Sequence, residues 1–221
     1  MRKYKKTHSL IVIVMILTIS LSCKAQKNTK YKVLNNIEIT DMAIDTFDIN
    51  LFEKYRNVNN KLSNVRSATI EKENGEKEEQ VISSEEITVY YTPPLPKLYW
   101  IYKEYYLNGK LKKKGYMLTN TYMKIGVWEY YDEKGNKTTE DMDKRYSKAK
   151  FTYNQIMLLL QDLGHININT GEGRDDIEID YFTETNNWKV EIRKPKEKPY
   201  GYIFSGKNGK KVSDVVITYS E

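Results

Sequence analysis

The sequence predicts an α+β protein in which a tyrosine-rich antiparallel β-meander precedes a helix packed on an antiparallel sheet of three or four strands. Three observations predict this fold class. Strand-like segments crowded with tyrosine alternate with glycine turns over residues 99–142. One amphipathic segment near residue 155 has helical spacing, and short alternating runs of apolar and polar residues follow from residue 177. The 221 residues, 39% of them hydrophobic and 30% charged, suffice for one domain or two small ones.

Residues 1–22 are predicted to be a signal peptide rather than part of the fold. Arg2, Lys3, Lys5 and Lys6 give a basic start, and residues 10–19 form an apolar run interrupted at Thr18. A membrane-spanning helix needs about 20 apolar residues, so this run is too short to span comfortably. Removal of this segment leaves 32 Lys and Arg against 30 Asp and Glu, which gives the mature chain a net charge near +2.

The apolar run ends in a short motif that contains a cysteine. Ser20, Leu21, Ser22 and Cys23 resemble the lipobox of bacterial lipoproteins of the Bacteroidetes type, with Ser20 at a position where the strict pattern has leucine. The resemblance implies that Cys23 is lipidated and anchors the chain to a membrane of the cell envelope, on the periplasmic side or at the cell surface. An ordinary signal peptide cleaved slightly later is the alternative. Residues 23–32 are polar and basic and suit a tether.

The counts of cysteine and histidine restrict the chemistry. Cys23 is the one cysteine, and loss of residues 1–22 leaves His165 as the one histidine. Catalytic triads and zinc sites draw on these residue types, so we expect no enzyme activity, catalytic residue, metal or cofactor. His165 follows Gly164 at a predicted helix end, where it can complement the helix dipole. A nearly neutral envelope protein also lacks the basicity that a nucleic-acid partner requires.

Residues 33–96 are predicted to form an N-terminal α+β region. Asp48 is placed to cap a short helix. Asn74 and Gly75 give the strongest two-residue hairpin signal and predict a turn between strands at residues 67–73 and 76–83, with a mobile acidic loop as the alternative. The apolar residues on one face of the predicted helix are Phe47, Leu51, Phe52 and Tyr55.

Residues 88–91 predict the next strand, and a proline-rich segment follows it. Pro93, Pro94 and Pro96 favour a stiff polyproline-like conformation. The sequence therefore predicts a domain boundary at this segment, with a second unit over residues 97–147.

This second unit is predicted to be a meander of repeated hairpins. Residues 102–111 and 127–137 are alike, and the repeat that aligns their tyrosine pairs matches Tyr105 with Tyr130 and leaves one extra residue in the second turn. The two copies resemble the MORN-like repeat variant, roughly G-x-W-x-x-Y with a glycine turn, except that Lys103 stands where tryptophan is expected in the first copy. The matching residues are Tyr105, Tyr106, Asn108 and Gly109 in the first copy and Gly126, Trp128, Tyr131 and Gly135 in the second.

The density of aromatic residues over 90–131 has two interpretations. Alternate rings can fill the thin core of a small sheet, or the core rings can be joined by a binding surface on the other face. Adjacent tyrosines on a strand point to opposite faces, so both interpretations can hold together. The residues predicted for this surface are Tyr102, Tyr105, Tyr106, Trp128, Tyr130 and Tyr131.

These observations predict a non-catalytic binding or scaffold module whose partner is an envelope protein or a glycan. Proteins with MORN-like repeats are often described as antitoxin or immunity components, so the resemblance implies an immunity, antitoxin or protease-inhibitor role as the alternative. A glycan-binding module is the second alternative, because tyrosine and tryptophan rings can stack on sugar rings. Fold-level analogy alone does not decide among these functions.

Residues 148–221 predict a helix packed on an antiparallel sheet. Thr152 and Gln155 make a capping box, and Gly164 ends the helix predicted over residues 152–163. The portion 151–214 resembles a PepSY-like unit, which implies a fold and no particular activity. The buried helical stripe is expected to comprise Ile156, Leu159, Leu160 and Leu163. Strands are expected at residues 177–182, 188–193, 200–204 and 212–219.

Overall fold

The computed structural model describes residues 46–57, 65–118 and 121–217, all within the unit Val33–Glu221. These residues form a mostly antiparallel α+β protein with two α-helices, eleven strands and two 3-10 helices. The predicted signal peptide, Cys23 and the tether lie outside the described residues.

The elements follow one another in the order that the sequence predicts. The α-helices are α1 (Ile49–Tyr55) and α2 (Tyr153–Asp162), and the 3-10 helices span Met142–Tyr146 and Arg174–Asp176. The first seven strands are β1 (Arg66–Glu71), β2 (Lys77–Ile82), β3 (Ile87–Thr92), β4 (Tyr99–Tyr105), β5 (Leu111–Leu118), β6 (Lys124–Tyr131) and β7 (Lys137–Asp141). The last four are β8 (Ile177–Phe182), β9 (Asn187–Ile192), β10 (Tyr200–Ser205) and β11 (Lys211–Val216).

The strands form two antiparallel sheets. Strands β1 to β7 make a seven-stranded meander in chain order, and the second sheet has the order β11, β10, β9, β8. The domain boundary predicted at the prolines is wrong, because β3 and β4 pair side by side across them, from Ile87 opposite Tyr105 to Tyr91 opposite Ile101. The strands before and after the proline segment therefore belong to one hydrogen-bonded sheet.

The proline segment is held by a residue from the C-terminal half. The guanidinium of Arg174 donates through Nη1 to the carbonyl oxygens of Pro93 (2.9 Å) and Lys97 (2.8 Å). Carbonyls before and after the turn thus share one cation, and a charged donor makes these bonds stronger than neutral ones. The segment is a fixed connection between two paired strands rather than a linker between domains.

Three hairpins of the large sheet close with the same turn. In each, the first residue and the one four positions later are bonded, as in Tyr106 with Lys110 and Asp132 with Asn136. Glycine lies one residue before the end of the turn at positive φ, +84° at Gly75, +80° at Gly109 and +87° at Gly135, a conformation that favours glycine. The hairpin predicted around Asn74 and Gly75 is therefore confirmed.

These turns show which residues correspond in the two copies of the repeat. The two repeat turns have the same length, so the extra residue predicted in the second turn is wrong. Gly109 and Gly135 lie one residue further apart than Tyr105 and Tyr130, so the predicted period is one residue too short. A shift of one residue moves a side chain to the opposite face of a strand. With the turns aligned, Tyr102 corresponds to Trp128, and Lys103 no longer occupies the position of the tryptophan.

The large sheet has two distinct faces. We call the inner face the side that carries Ile101, Tyr116 and Ile125, which join α2 and the second sheet in one hydrophobic core. Residues 97–147 and 148–221 thus share one hydrophobic core and do not pack as two separate units. A second inner cluster, around Tyr105 and the fully buried Phe52, lies under α1. The outer face is the opposite side, which carries Trp100, Tyr102, Trp128 and Tyr130.

Helix α1 forms where the sequence predicts it. The Asp48 carboxylate accepts hydrogen bonds from the backbone N–H groups of Asn50 and Leu51, both at 3.0 Å. These bonds satisfy donors that the first turn of a helix leaves free. Phe52 then packs against the inner face, with its ring centroid 6.0 Å from that of Phe47.

Helix α2 confirms the predicted capping box and corrects the predicted stripe. The Thr152 backbone N–H donates to Gln155 Oε1 at 2.8 Å, and Ile156 and Leu160 are fully buried. Leu163, however, is 47% exposed, because the helix ends at Asp162 and the next residue turns away from the core. Met157 is buried in its place, and Leu159 is partly buried.

Candidate functional site

The outer face of the large sheet carries a continuous row of aromatic rings. Tyr102 stacks on Trp128, with ring centroids 5.6 Å apart, and Tyr90 contacts Tyr102 edge to face at 5.4 Å. Trp100 meets Tyr90 in a T-shaped pair at 6.4 Å. We call Tyr90, Trp100, Tyr102, Trp128 and Tyr130 the outer aromatic strip. Strand alternation places them on one face, and they come from strands β3, β4 and β6.

Trp128 is the buried anchor of this strip. Its Nε1 donates to the carbonyl oxygen of Tyr116 at 3.1 Å, and Met142 packs in the same cluster. Gly115 makes room for the indole, because a Cβ at that position would lie 2.2 Å from a ring carbon. Lys124 Nζ lies 4.2 Å from the centre of the ring, a cation–π distance. A rigid tryptophan therefore holds the neighbouring rings in place.

The six residues predicted for a binding surface separate into two faces. Trp128 and Tyr102 are buried on the outer side, whereas Tyr105 and Tyr131 belong to the inner cluster under α1. Tyr130 remains partly exposed on the outer face.

The sixth residue, Tyr106, lies at the hairpin end and is also partly exposed. Its hydroxyl donates to the Tyr131 carbonyl at 3.0 Å, and Lys112 Nζ lies 5.8 Å from the centre of its ring. Four of the six predicted residues are therefore core residues, and the structure does not bring all six together on one surface.

Sequence reasoning missed two members of the strip. Tyr90 and Trp100 are partly exposed and extend the aromatic row beyond Tyr102. Pairing explains their place, because Tyr90 lies directly opposite Tyr102 in the ladder between β3 and β4. Alternation along β4 alone could have placed Trp100 on the face of Tyr102, two residues away. The position of Tyr90 required the pairing register, which the sequence does not state.

A buried carboxylate borders the strip. Glu104 is 1% exposed and lies against Lys112 Nζ at 2.6 Å, with Lys113 also in contact. The Tyr102 hydroxyl donates to it at 2.7 Å. Burial alone would raise the pKa of Glu104, but hydrogen bonds from the two lysines and the tyrosine lower it to about 2. Burial, together with this carboxylate, raises the pKa of Tyr102.

This cluster predicts a specific loss of stability in acid. The ordinary pKa of Glu104 is 4.5 and the folded-state pKa is about 2, so its ionised form stabilises the fold above pH 4.5 and loses that effect as the pH falls towards 2. The neighbouring Glu86 has a raised pKa, from burial and from Glu104, and acts in the opposite direction. We expect Glu104→Gln to reduce urea stability at pH 7 and to differ little from the native chain near pH 2. A constant difference across this range would contradict the role of Glu104.

His165 is a packing residue in this structure. Its ring centroid lies 5.9 Å from that of Tyr200 and 5.7 Å from that of Tyr202, whose hydroxyl is 3.3 Å from Nε2. Burial and the charge of Lys194 lower the pKa of the imidazole. The neutral form is therefore favoured, in place of the charged complement to the helix dipole that the sequence predicts.

The described ranges 46–57, 65–118 and 121–217 contain neither a group of side chains suited to a metal ion nor a helix suited to cross a membrane. Within them, no three His, Cys, Asp or Glu side chains are grouped so that they could hold a metal ion. In the same ranges, neither helix combines the length and the apolar character that crossing a bilayer requires.

Comparison of the chain with protein-family models, with curated proteins and with solved structures finds no match. The geometry of the chain itself must therefore support any statement about its function.

Proposed function

We propose that this chain is a lipid-anchored, non-catalytic binding module of the bacterial cell envelope. Lipid on Cys23 fixes it to the membrane, and residues 23–32 tether the fold. The outer aromatic strip binds another envelope macromolecule, in the first place a protein. The support for the anchor is the basic start, the apolar run and the Ser-Leu-Ser-Cys motif that ends at residue 23.

The repeat resemblance belongs to this proposal. Successive hairpins with the same glycine turn support MORN-like units over residues 99–142, with Gly126, Trp128 and Gly135 in the pattern positions of one unit. A helix followed by antiparallel strands supports a PepSY-like arrangement over residues 151–214. In this proposal, both units serve as scaffold for the strip.

One observation carries the binding function. The outer aromatic strip puts partly exposed rings at Tyr90, Trp100 and Tyr130 around two buried ones, on the face opposite the main core. Tyrosine and tryptophan are enriched in protein interfaces and supply contact area with little loss of side-chain entropy. Lys124, at 4.2 Å from the centre of the Trp128 ring, borders the strip and offers pairing with acidic groups of a partner.

Capture from the envelope tests this function. The full tagged chain is recovered from detergent-solubilised envelope, and bound proteins are identified by mass spectrometry. We expect one stoichiometric protein partner, reduced about tenfold or more by the combined change of Tyr90, Trp100 and Tyr130 to Ser, since hot-spot aromatics together contribute about 1.4 kcal/mol or more. The matched control changes Tyr55 and Phe182 to Ser, which are 39% and 42% exposed and lie outside the strip.

Two outcomes would contradict parts of the proposal. Equal capture by the strip variant and the control would remove the strip from the interface. Absence of any protein partner, with quenching of Trp100 fluorescence by envelope glycans, would favour the glycan-binding module. The anchor is tested in the same preparation by Cys23→Ser, which should abolish palmitate labelling and move the chain out of the membrane fraction. Because the chain has one cysteine, no second thiol can carry the label.

A further inference from the structure

Lys124 lies at one end of the outer aromatic strip. It is directly opposite Met117 on β5, and Met117 is opposite Trp100 on β4. Directly opposed residues share one face of a sheet, so Lys124 is two strands from Trp100, roughly 10 Å away at the usual strand spacing. The Tyr146 hydroxyl donates to the backbone carbonyl of Lys124 at 2.7 Å. The Trp128 ring, with its centre 4.2 Å from Nζ, keeps the ammonium beside the strip.

Lys124 differs from the other lysines along the outer face, because each of those contacts a carboxylate. The pairs are Lys77 with Glu79, and both Lys112 and Lys113 with Glu104. Lys124 forms no ion pair with any residue in the ranges that the structure describes, and its contact is the cation–π interaction with Trp128. The ammonium is therefore open to a carboxylate from outside the chain.

The surroundings of Lys124 make its charge costly to cover. The side chain is partly buried, and burial lowers the pKa of its ammonium, as do the charges of Lys113 and Arg145. The carboxylates of Glu140 and Glu104 act in the opposite direction, but both already contact other cations. A protein that covers the strip removes the remaining water from this ammonium. A buried charge without a partner of opposite charge is strongly unfavourable, so the covering surface must supply one.

The opposite end of the strip has no such requirement. A groove of about 560 Å³ opens there beside Tyr90 and Trp100. The lysines that line it are paired, Lys72 with Glu76 and Lys77 with Glu79, both at 2.5 Å. Among the described residues of the outer face, the positive charge without an acidic partner is thus at the β6 end. This asymmetry fixes the orientation of a partner on the strip.

We infer that the partner protein of the outer aromatic strip presents an aspartate or glutamate side chain to Lys124, about 10 Å from the side chain that packs on Trp100. The ammonium donates to this carboxylate and keeps its contact with the Trp128 ring, so the charge that the partner buries is compensated. An apolar or basic surface at this position is rejected. The inference rests on the binding function proposed above and adds the chemistry of the partner.

Capture of the partner by matched variants at Lys124 tests this pair. The full tagged chain is incubated with detergent-solubilised envelope. Lys124→Met keeps an unbranched apolar side chain and removes the charge, so we expect about tenfold less partner, a difference of about 1.4 kcal/mol. Lys124→Arg keeps the charge and the cation–π contact and should retain most of the capture. Lys207→Met, at an exposed position in the turn between β10 and β11, is the control and should capture as the native chain does.

Two further measurements report on charge and on contact. Raising the NaCl concentration from about 0.1 M to about 1 M shortens the Debye length from about 10 Å to about 3 Å. It should therefore weaken capture by the native chain more than capture by Lys124→Met. A carbodiimide joins an amine to a carboxylate that it touches. We expect an amide bond between Lys124 Nζ and an aspartate or glutamate of the partner, identified by mass spectrometry and absent from Lys124→Met.

The inference is overturned if Lys124→Met captures the partner as well as the native chain does. Equal losses in Lys124→Met and Lys124→Arg would also overturn it, because the charge would then have no part in binding. So would a carbodiimide product that joins Lys124 to an acidic glycan, or no product with a captured protein. Circular dichroism checks that each variant folds. If Lys124→Met does not fold, the cross-link in the native chain decides by itself.

The same preparation separates failure of this inference from failure of the proposed function. Normal capture by the variant with Tyr90, Trp100 and Tyr130 changed to Ser would reject the strip as the interface, and the inference with it. Reduced capture by that variant, together with normal capture by Lys124→Met, would reject the acidic contact alone and leave the outer aromatic strip as the binding surface.

Discussion

Trp128→Ala should destabilise the protein by about 3–5 kcal/mol, the usual range for removal of a buried aromatic side chain. The indole is fully buried at the centre of the outer aromatic strip. Its loss leaves the Tyr116 carbonyl without the 3.1 Å hydrogen bond, Tyr102 without its stacked partner and Lys124 without its cation–π contact. Urea unfolding followed by far-ultraviolet circular dichroism measures the change.

Gly115 supplies a sharper version of this experiment. In the native background, Gly115→Ala should destabilise by about 1–3 kcal/mol, because its Cβ would lie 2.2 Å from the Trp128 ring. In the Trp128→Ala background, the same change should be neutral or slightly stabilising, since alanine suits a strand better than glycine by roughly 0.5–1 kcal/mol. The destabilisation by Gly115→Ala should therefore disappear or change sign when the indole is absent. If Gly115→Ala destabilises the native chain and the Trp128→Ala variant by the same amount, the glycine does not accommodate the indole.

Leu160→Ala should destabilise by about 2–5 kcal/mol, because Leu160 is fully buried where α2 enters the main core. The chain offers its own control just past the end of the helix. Leu163 is 47% exposed, so Leu163→Ala should change the free energy of unfolding by no more than about 0.5 kcal/mol. Both variants remove the same atoms, so their difference reports mainly on burial.

The result of this pair discriminates between two arrangements. The sequence predicts both leucines in one buried stripe, whereas the structure buries one of them. A large effect at Leu163, or an effect below about 0.5 kcal/mol at Leu160, would contradict the packing of α2 on the second sheet. A native far-ultraviolet helix signal in both variants would confirm that the comparison concerns tertiary packing.

The stability of the core bears directly on the proposed binding function. Trp128 and Tyr102 are buried, so their substitution changes the fold as well as the surface. The partly exposed rings of Tyr90, Trp100 and Tyr130 are the better probes of binding, because they pack against the buried cluster without forming it. A rigid support for these rings lowers the entropic cost of binding a partner.

Local signals in the sequence determined most of the elements. Asn74 with Gly75 specified a hairpin, Asp48 specified the start of α1, and Thr152 with Gln155 specified the start of α2. Each of these signals acts within a few positions of itself, through a turn dihedral or a capping bond, so no distant contact can easily change it. The strand predicted at residues 177–182 has the same limits in the structure for a similar reason, since apolar and polar residues alternate from Ile177 to Tyr181.

The tertiary structure decided which side of each strand faces the core. Alternation shows that neighbouring residues point in opposite directions, but only the pairing register tells which direction is inward, and an error of one residue reverses it. Alignment of the tyrosine pairs therefore matched Lys103 with Trp128. Alignment of the turn glycines Gly109 and Gly135 gives a period that is one residue longer and matches Tyr102 with Trp128.

Contacts between distant residues lie outside any local pattern for the same reason. Arg174 fastens the proline segment 81 residues earlier in the chain, and that connection supports the pairing of β3 with β4 in one sheet. A cleft on the inner face likewise brings together side chains of α1, β2 and β4, which meet only after the strands have paired. The sequence by itself thus determined where turns, caps and strands form, because short-range dihedral and hydrogen-bond preferences control them. The tertiary structure decided which rings form the outer strip and that Gln80 lines a cleft, because long-range pairing controls burial.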